Sequence, residues 1–371
     1  MATKYIWQNE DWPRMRWNDG RLVNLLSEVN QLRGTLLGRV SMFGLEQQNA
    51  TLLEAMSQEM MHSAEIEGER LNRDSVRSSL ARHLGLNYAG AIKNDYYTEG
   101  VVSAMLDATC NYSSEVDENR LFAWHAALFP NGYSGMYKID VAQWRRGDSP
   151  MQVVSGAMGH EKVHYEAPES ADVPLMMKDF LAWVNDDALI VDPLVKAAVV
   201  HLWFVTIHPF DDGNGRICRT ITELLLSRAD GTSRRYYSLS SFLLRHRNDY
   251  YNHLEMSQKG GLDVSDWVLW FVSAIKQAIE DALSETQRVV DKIRFWDVYG
   301  DIEFNPRQRK VINMMLDGFE GKLNSSKWYK INHCSQDTAL RDITDLLRKG
   351  ILRKSAMGGR STSYELVSVS K

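Results

Sequence analysis

Nine residues, His208-Pro209-Phe210-Asp211-Asp212-Gly213-Asn214-Gly215-Arg216, followed by Arg219, bring together a base, an acid, an amide between glycines and two cations. An imidazole can take a proton at neutral pH. A carboxylate can hold a hard divalent cation. A glycine-bearing turn that opens a helix points several N–H groups at one spot, and the helix dipole adds positive potential there. Arg216 and Arg219 are three apart and can share a face. Such a set suits an anionic, metal-bound substrate such as a nucleoside triphosphate. The string itself is neither a Walker loop nor a zinc-binding helix.

Two apolar helices must position these groups. Asp192-Pro193 is a capping side chain followed by proline at the first helical position. Val195, Ala198, Val199 and Leu202 then mark one buried face. Pro209 disfavours helical geometry at His208, so the histidine is delivered at the rigid end of a packed element. Ile217, Ile221, Leu224 and Leu225 mark a second buried helix, closed by the turn at Asp230-Gly231.

The string resembles the signature of Fic-domain enzymes, His-x-Phe-x-(Asp/Glu)-Gly-Asn-Gly-Arg-x-x-Arg, and matches it at every specified position. The resemblance implies a mainly α fold: a Fic-type helical bundle with a small β-hairpin flap. It implies transfer of AMP from ATP, with Mg²⁺, to a Ser, Thr or Tyr hydroxyl of a target protein. His208 would be the catalytic base and Asp212 the metal ligand. Gly213, Asn214, Gly215, Arg216 and Arg219 would bind the phosphates. Phe210 should pack beneath the loop, and Asp211 falls in the variable slot with no role. The same parts could instead remove AMP from a modified protein, or move another phosphate-linked group. The chain could also be a winged-helix DNA-binding regulator with a silenced Fic domain.

Upstream, Ser63-Ala64-Glu65-Ile66-Glu67-Gly68-Glu69 reads as a helix C-terminus carrying carboxylates. The dipole disfavours them there, so a nearby cation should offset that cost. Ser63 and Glu67 are four apart and can share a face, and Gly68 should end the helix. The stretch resembles the Ser/Thr-x-x-x-Glu-Gly/Asn inhibitory motif of Fic proteins. By that resemblance Ser63, Glu67 and Gly68 form the inhibitory element, with Glu67 paired to Arg219.

With 371 residues the chain has room for two or three domains. We expect an N-terminal helical region at 1–95, a catalytic domain at 96–300 and a winged-helix-like domain at 301–371. The net charge of −5 argues against generic nucleic-acid binding by the whole chain. Cys110, Cys218 and Cys334 are widely spaced, which fits a reducing compartment. The N-terminus lacks a basic-then-apolar leader, and charged or polar residues interrupt the most apolar run. The expectation is a cytoplasmic protein without a membrane partner. Its 11 tryptophans should serve packing or an interface, and a homodimer is one outcome.

Trp7, Trp12 and Trp17 form an irregular lead that should lie against the helices behind it. Met151-Gln152-Val153-Val154-Ser155-Gly156 reads as part of a hairpin. By the resemblance Val153, Val154, Ser155 and Gly156 belong to a flap that pairs with the target's backbone. Likewise Tyr250 and Tyr251 match a tyrosine pair near the nucleotide, with Gln258 as a third contact. Past Asn305-Pro306 the pattern predicts helices around 306–317, 325–332 and 335–349, then a hairpin turning at Gly358-Gly359. This order resembles a winged helix. From residue 305 onward 13 Lys/Arg face 6 Asp/Glu, an excess that suits DNA contact. Asp342 and Asp345, in the would-be recognition helix, would repel phosphate.

Overall fold

The computed structural model describes residues 5–86, 95–147, 150–155, 162–319, 321–355 and 362–367. These residues are mainly helical, with three two-stranded hairpins. The chain divides into two compact units, Met1–Ala282 and Leu283–Lys371.

The first unit opens with a short 3-10 turn at Ile6–Gln8 and helices α1 (Asp19–Ser41), α2 (Leu45–Ile66), α3 (Arg73–His83), α4 (Tyr96–Cys110) and α5 (Glu118–Leu128). Two antiparallel hairpins follow, β1 (Tyr133–Ser134) with β2 (Tyr137–Lys138), and β3 (Gln152–Ser155) with β4 (Lys162–Glu166). Then come α6 (Val173–Val184), α7 (Pro193–Ile207), α8 (Asn214–Asp230), α9 (Leu239–Arg245), α10 (Arg247–Gln258) and α11 (Ser265–Val298), which runs on into the second unit.

Helices α7 and α8 form the central pair. Every residue of α7 from Leu194 to Ile207 except Lys196 is buried. A helix apolar all round belongs inside a bundle rather than on its surface. Its start is fixed as the sequence predicts: the Asp192 carboxylate accepts from the Leu194 N–H at 2.8 Å, behind Pro193. Helix α8 ends on Gly231 at φ +65°, a left-handed cap that glycine adopts without a Cβ penalty. Helix α11 packs Trp267 against the pair, and its indole N–H donates to the Ala198 carbonyl at 2.7 Å. Helix α1 is joined to the end of α8 by a buried charge cluster. Arg235 pairs with Glu223 at 2.8 Å and with Asp230, which also takes Arg33 at 2.7 Å.

Helix α2 is anchored by a buried carboxylate. Glu59 accepts from the Ser238 hydroxyl at 2.8 Å, from the Ser240 N–H at 2.9 Å and from the Ser240 hydroxyl. These groups sit at the N-terminal end of α9, where the dipole favours an anion. The aromatic lead lies against β4 and α7. Trp7 donates to the Glu166 carbonyl at 2.9 Å, and Trp12 meets Trp203 edge-on.

The second unit contains the end of α11, then α12 (Pro306–Leu316), α13 (Ser325–Asn332), α14 (Gln336–Arg348) and the hairpin β5 (Leu352–Lys354) with β6 (Tyr364–Leu366). Val311, Ile312, Trp328, Ala339, Ile343, Leu346 and Ile351 form its core. Asn305, Asn324 and Ser335 cap the three helices through their side chains. No helix among the described residues is long and apolar enough to cross a membrane.

Candidate active site

The site is built where α7 stops and α8 starts. Helix α7 ends at Ile207, and His208 follows with φ +53° and ψ +59°. A non-glycine residue costs about 1–2 kcal/mol in this left-handed region. The surroundings must supply that. The four C-terminal carbonyls of a helix have no partner within it, and here each finds one. The Phe204 carbonyl takes the His208 N–H at 3.0 Å. The Val205 carbonyl accepts from His208 Nδ1 at 3.2 Å and from Gln258 Nε2 at 3.3 Å. The Thr206 carbonyl accepts the Tyr165 hydroxyl at 2.6 Å. Arg145 reaches the Ile207 and His208 carbonyls at 3.4 and 2.8 Å.

The Val205 contact also decides the tautomer. A carbonyl only accepts, so Nδ1 carries the hydrogen and the lone pair of neutral His208 lies on Nε2. Burial lowers the pKa of His208. The Val205 contact, Glu67 and Asp212 oppose that, while the Arg145 charge adds to it.

Asn214, at the first position of α8, closes the loop between the helices. Its side-chain oxygen accepts from the Phe210 N–H at 2.9 Å, and its amide donates to the Phe210 carbonyl at 2.8 Å. Phe210 is fully buried beneath the loop. The ring of His125 stacks on it, centroids 4.2 Å apart and planes 8° apart. His125 Nδ1 accepts from the Ala142 N–H at 3.2 Å, which leaves Nε2–H to donate to the Asp212 carbonyl at 3.1 Å. The acids are set from outside. Asp211 accepts the Asp140 N–H at 2.8 Å, so the slot without an expected role ties down the loop after β2. Asp212 accepts the Ser134 hydroxyl and the Gly213 N–H at 2.5 Å. Gly213 stands at φ +81°, as a turn into α8 requires.

Arg216 and Arg219 of α8 are buried and reach the C-terminal end of α2 or the residues just beyond it. Arg219 donates through Nε to the Ser63 hydroxyl at 2.8 Å, and through Nη2 to the Ser63 carbonyl and to Glu67 Oε1, each at 2.8 Å. The cation that the carboxylate-bearing helix end requires is therefore Arg219. Burial alone would lower its pKa, but the charge and hydrogen bond of Glu67, together with Tyr250 and Tyr251, outweigh burial and raise it. Arg216 donates to Glu69 Oε2 and to the Tyr97 hydroxyl, each at 2.9 Å, over the ring of Phe129 at 4.8 Å. Glu67 closes α2, and Gly68 beyond it has φ +85°. Glu67 Oε1 lies against Gly215 so closely that a Cβ there would come within 2.0 Å of it. Arg219 Nη1 and Arg216 Nε are buried with no hydrogen-bond partner among the described residues. Two unspent cationic donors beside a helix N-terminus fit an anion.

The remaining candidates lie farther along. Tyr250 is buried, with its hydroxyl 2.8 Å from His201 Nε2, while His201 Nδ1 meets the Thr222 hydroxyl at 2.9 Å. Thr222 already donates to the Cys218 carbonyl, so His201 donates to Thr222 and accepts from Tyr250. Tyr251 is half-buried beside Tyr250, centroids 5.2 Å apart, with Arg247 over its ring. Gln258 is buried on the Val205 carbonyl. Val153, Val154 and Ser155 lie in β3, with a register irregularity between the two valines, and Val154 is exposed. Gly156 falls outside the described residues. His160-Glu161-Lys162-Val163-His164 has the letter order of a zinc-protease helix. Its second half is strand β4, and His164 pairs with Glu255 at 2.7 Å.

Sequence reasoning gave no role to Arg145, His125, Ser134, Glu69 or Tyr97. Glu69 had a signal, since it follows Glu67 by two. The others reach the loop only through long-range folding.

Residues 115–226 match the family model described as Fic/DOC family, and residues 5–86 match a domain of unknown function, DUF4172. The protein adenylyltransferase Fic of Aedes aegypti is 27% identical over 231 residues, covering 61% of this chain and 42% of that protein. That of Drosophila erecta is 24% identical over 284 residues, covering 74% and 53%. The chain thus spans about half, or less, of the length of these relatives. Among solved structures, a Fic family protein from Desulfovibrio desulfuricans G20 superposes with a TM-score of 0.53 at 20% identity, over 94% of this chain and 97% of that one. A Fic domain containing signaling protein from Bacteroides thetaiotaomicron VPI-5482 gives 0.51 at 17% identity, over 70% and 95%. The chain has the Fic fold and carries, at residues 115–226, a domain of the Fic/DOC family.

Proposed function

We propose that the chain is a protein adenylyltransferase that moves AMP from ATP to a Ser, Thr or Tyr hydroxyl of a target protein. The adenylyltransferase names of its relatives support this reading. One geometric observation carries it. A neutral imidazole with its lone pair on Nε2 stands at the end of α7, one loop away from an α8 N-terminus that holds two unspent arginine donors. His208 Nε2 takes the acceptor's proton as the hydroxyl oxygen attacks the α-phosphorus of ATP. The bond to the bridging oxygen breaks and pyrophosphate leaves. The amides of Gly213 and Gly215, with Arg216 and Arg219, hold the phosphates, so the chemistry is positioning plus electrostatics. Asn214 contributes by fixing the loop's shape. Tyr250 and Tyr251 are proposed to lie near the nucleotide, with Gln258 as a third contact, and Val153 to Gly156 are the flap residues proposed to pair with the target.

Asp212 fits a Mg²⁺ ligand. Its side chain is partly exposed and offers hard oxygens. Among the described residues no group of three or more metal-ligating side chains gathers. A cation would therefore be shared between Asp212 and the polyphosphate, as Mg²⁺ commonly is, and would offset charge on the leaving pyrophosphate.

Glu67 restrains the site in this reading. It takes one Arg219 donor and lies against Gly215, where a terminal phosphate would go. The test is to incubate wild type and Glu67→Gly with α-labelled ATP and Mg²⁺ and follow label on protein. The variant should label protein several-fold faster. Equal rates would remove the inhibitory role, and no label from either would remove the transferase.

For residues 301–371 we propose a winged-helix-like DNA contact. Asp342 is buried against Asn305 and Arg307, and Asp345 is held by Gln308, Arg348 and Lys349. Arg341, Thr344 and Arg348 occupy the exposed face of α14. The two acids are therefore engaged within the unit, which weakens the objection to phosphate. Retention on DNA that falls with salt supports contact, and no binding at low salt ends it.

A further inference from the structure

Arg145 is buried, yet among the described residues no carboxylate forms an ion pair with it. Its hydrogen bonds go to carbonyls. Nε donates to His208 at 2.8 Å, and Nη2 to Pro168 at 2.5 Å and Ile207 at 3.4 Å. Its own N–H donates to the Pro209 carbonyl at 2.8 Å. A buried cation without a counter-ion is costly unless something else carries negative potential. Here that is the C-terminal end of α7, where the helix dipole is negative, with the charge of Asp211 adding to it without an ion pair. One side chain thus grips the backbone on both sides of the reacting imidazole, and joins it to the segment that follows β4.

We infer that Arg145 is a positioning residue: its guanidinium closes the C-terminal carbonyls of α7 and holds His208 in the left-handed turn that presents Nε2 to the substrate. A second effect follows from the same geometry. A histidine at a helix C-terminus is drawn towards its charged form by the dipole. Arg145 opposes that pull. The charges facing His208 are Arg145, which favours neutral imidazole, and Glu67 of α2 and Asp212 of the loop, which oppose it. The fork matters as well as the charge, because one planar group serves three carbonyls, a geometry that a lysine ammonium cannot copy.

The inference rests on the transferase reading, and its test separates the two. In a Glu67→Gly background, label transfer from α-labelled ATP to the chain itself is measured for Arg145→Gln and Arg145→Lys. Arg145→Gln should lower the maximal rate by about 10- to 100-fold, with the half-saturating ATP concentration little changed. Arg145→Lys should keep the acid limb of the pH profile and still lose rate. In parallel, the His208 ring is titrated by NMR without ATP, and in Arg145→Gln it should take its proton about one pH unit higher. A folded Arg145→Gln protein with the parent rate, or with an unmoved His208 titration, overturns the inference. Should Arg145→Gln not fold, a folded Arg145→Lys protein at the parent rate overturns it equally. If the Glu67→Gly parent transfers no label, the transferase reading fails, and the NMR titration still decides the role of Arg145.

Discussion

His208 is useful only while uncharged. Burial holds its pKa below the ordinary value of about 6.5, so transfer should stay near its plateau at that pH and fall only as pH drops through the lowered value. A rate profile whose acid limb lies at or above pH ~6.5 would contradict this. His208→Ala should abolish labelling while ATP still binds by calorimetry, because the phosphate donors belong to α8. Asn214 gives a different expectation. Both ends of its amide bond Phe210, so Asn214→Ala should cost about 1–3 kcal/mol of stability as well as activity. An unchanged denaturation midpoint would count against it. At this scale the sequence was legible in kind but not in direction. It showed a base, an acid and an amide together, but not that the amide would face inward. An Asn between glycines can serve its own loop as well as a ligand, and only the position of Phe210 decides.

Helix α7 meets α8 and α10 through His201, which sits between Thr222 and Tyr250. Burial, then the Arg219 charge, lowers its pKa to about 3. An unfolded histidine protonates near 6.5, so below that pH the unfolded state binds the extra proton. The stabilisation is complete above about 6.5 and is lost progressively towards about 3. Wild type should therefore lose more stability between pH 7 and pH 4 than His201→Gln, whose side chain does not titrate; equal losses would refute the assignment. Elements were legible where periodicity was strong. The stripe of α2, the buried α8 and the Asp192-Pro193 cap appear as read, whereas α7, read as burying one face, is buried on nearly every side. Tertiary partners were not, because nothing near Arg145 or Tyr165 in sequence points to carbonyls some 40 to 60 positions later.

As a whole the chain is two compact units with separate cores. In the second, Trp328 is fully buried and Asp342 ties α14 to Asn305 and Arg307 at the start of α12. Trp328→Ala should cost this unit about 3–5 kcal/mol. The check is hydrogen exchange at the amides of Val311 and Ile343, which should quicken. Burial works against the charge of Asp342, but Arg307 and Asn305 outweigh it and hold the carboxyl below its ordinary range. That contribution is present at neutral pH and disappears as pH falls through the lowered value. The order of three helices and two paired strands was legible from Asn305-Pro306, Ser335 and the strand-like runs on either side of Gly358-Gly359, a turn that lies outside the described residues. Helix α11 was harder to divide, since its amphipathic pattern continues without a break from one unit into the next.

The missing side chain at position 215 leaves a vacancy about the size of one oxygen atom, and in this conformation a carboxylate of the chain's own fills it. A methyl group there would evict the tenant and also narrow the room for whatever anion should replace it. Mutation at this position therefore cannot open the site without also narrowing it, and under the proposed function any release has to come from the α2 side.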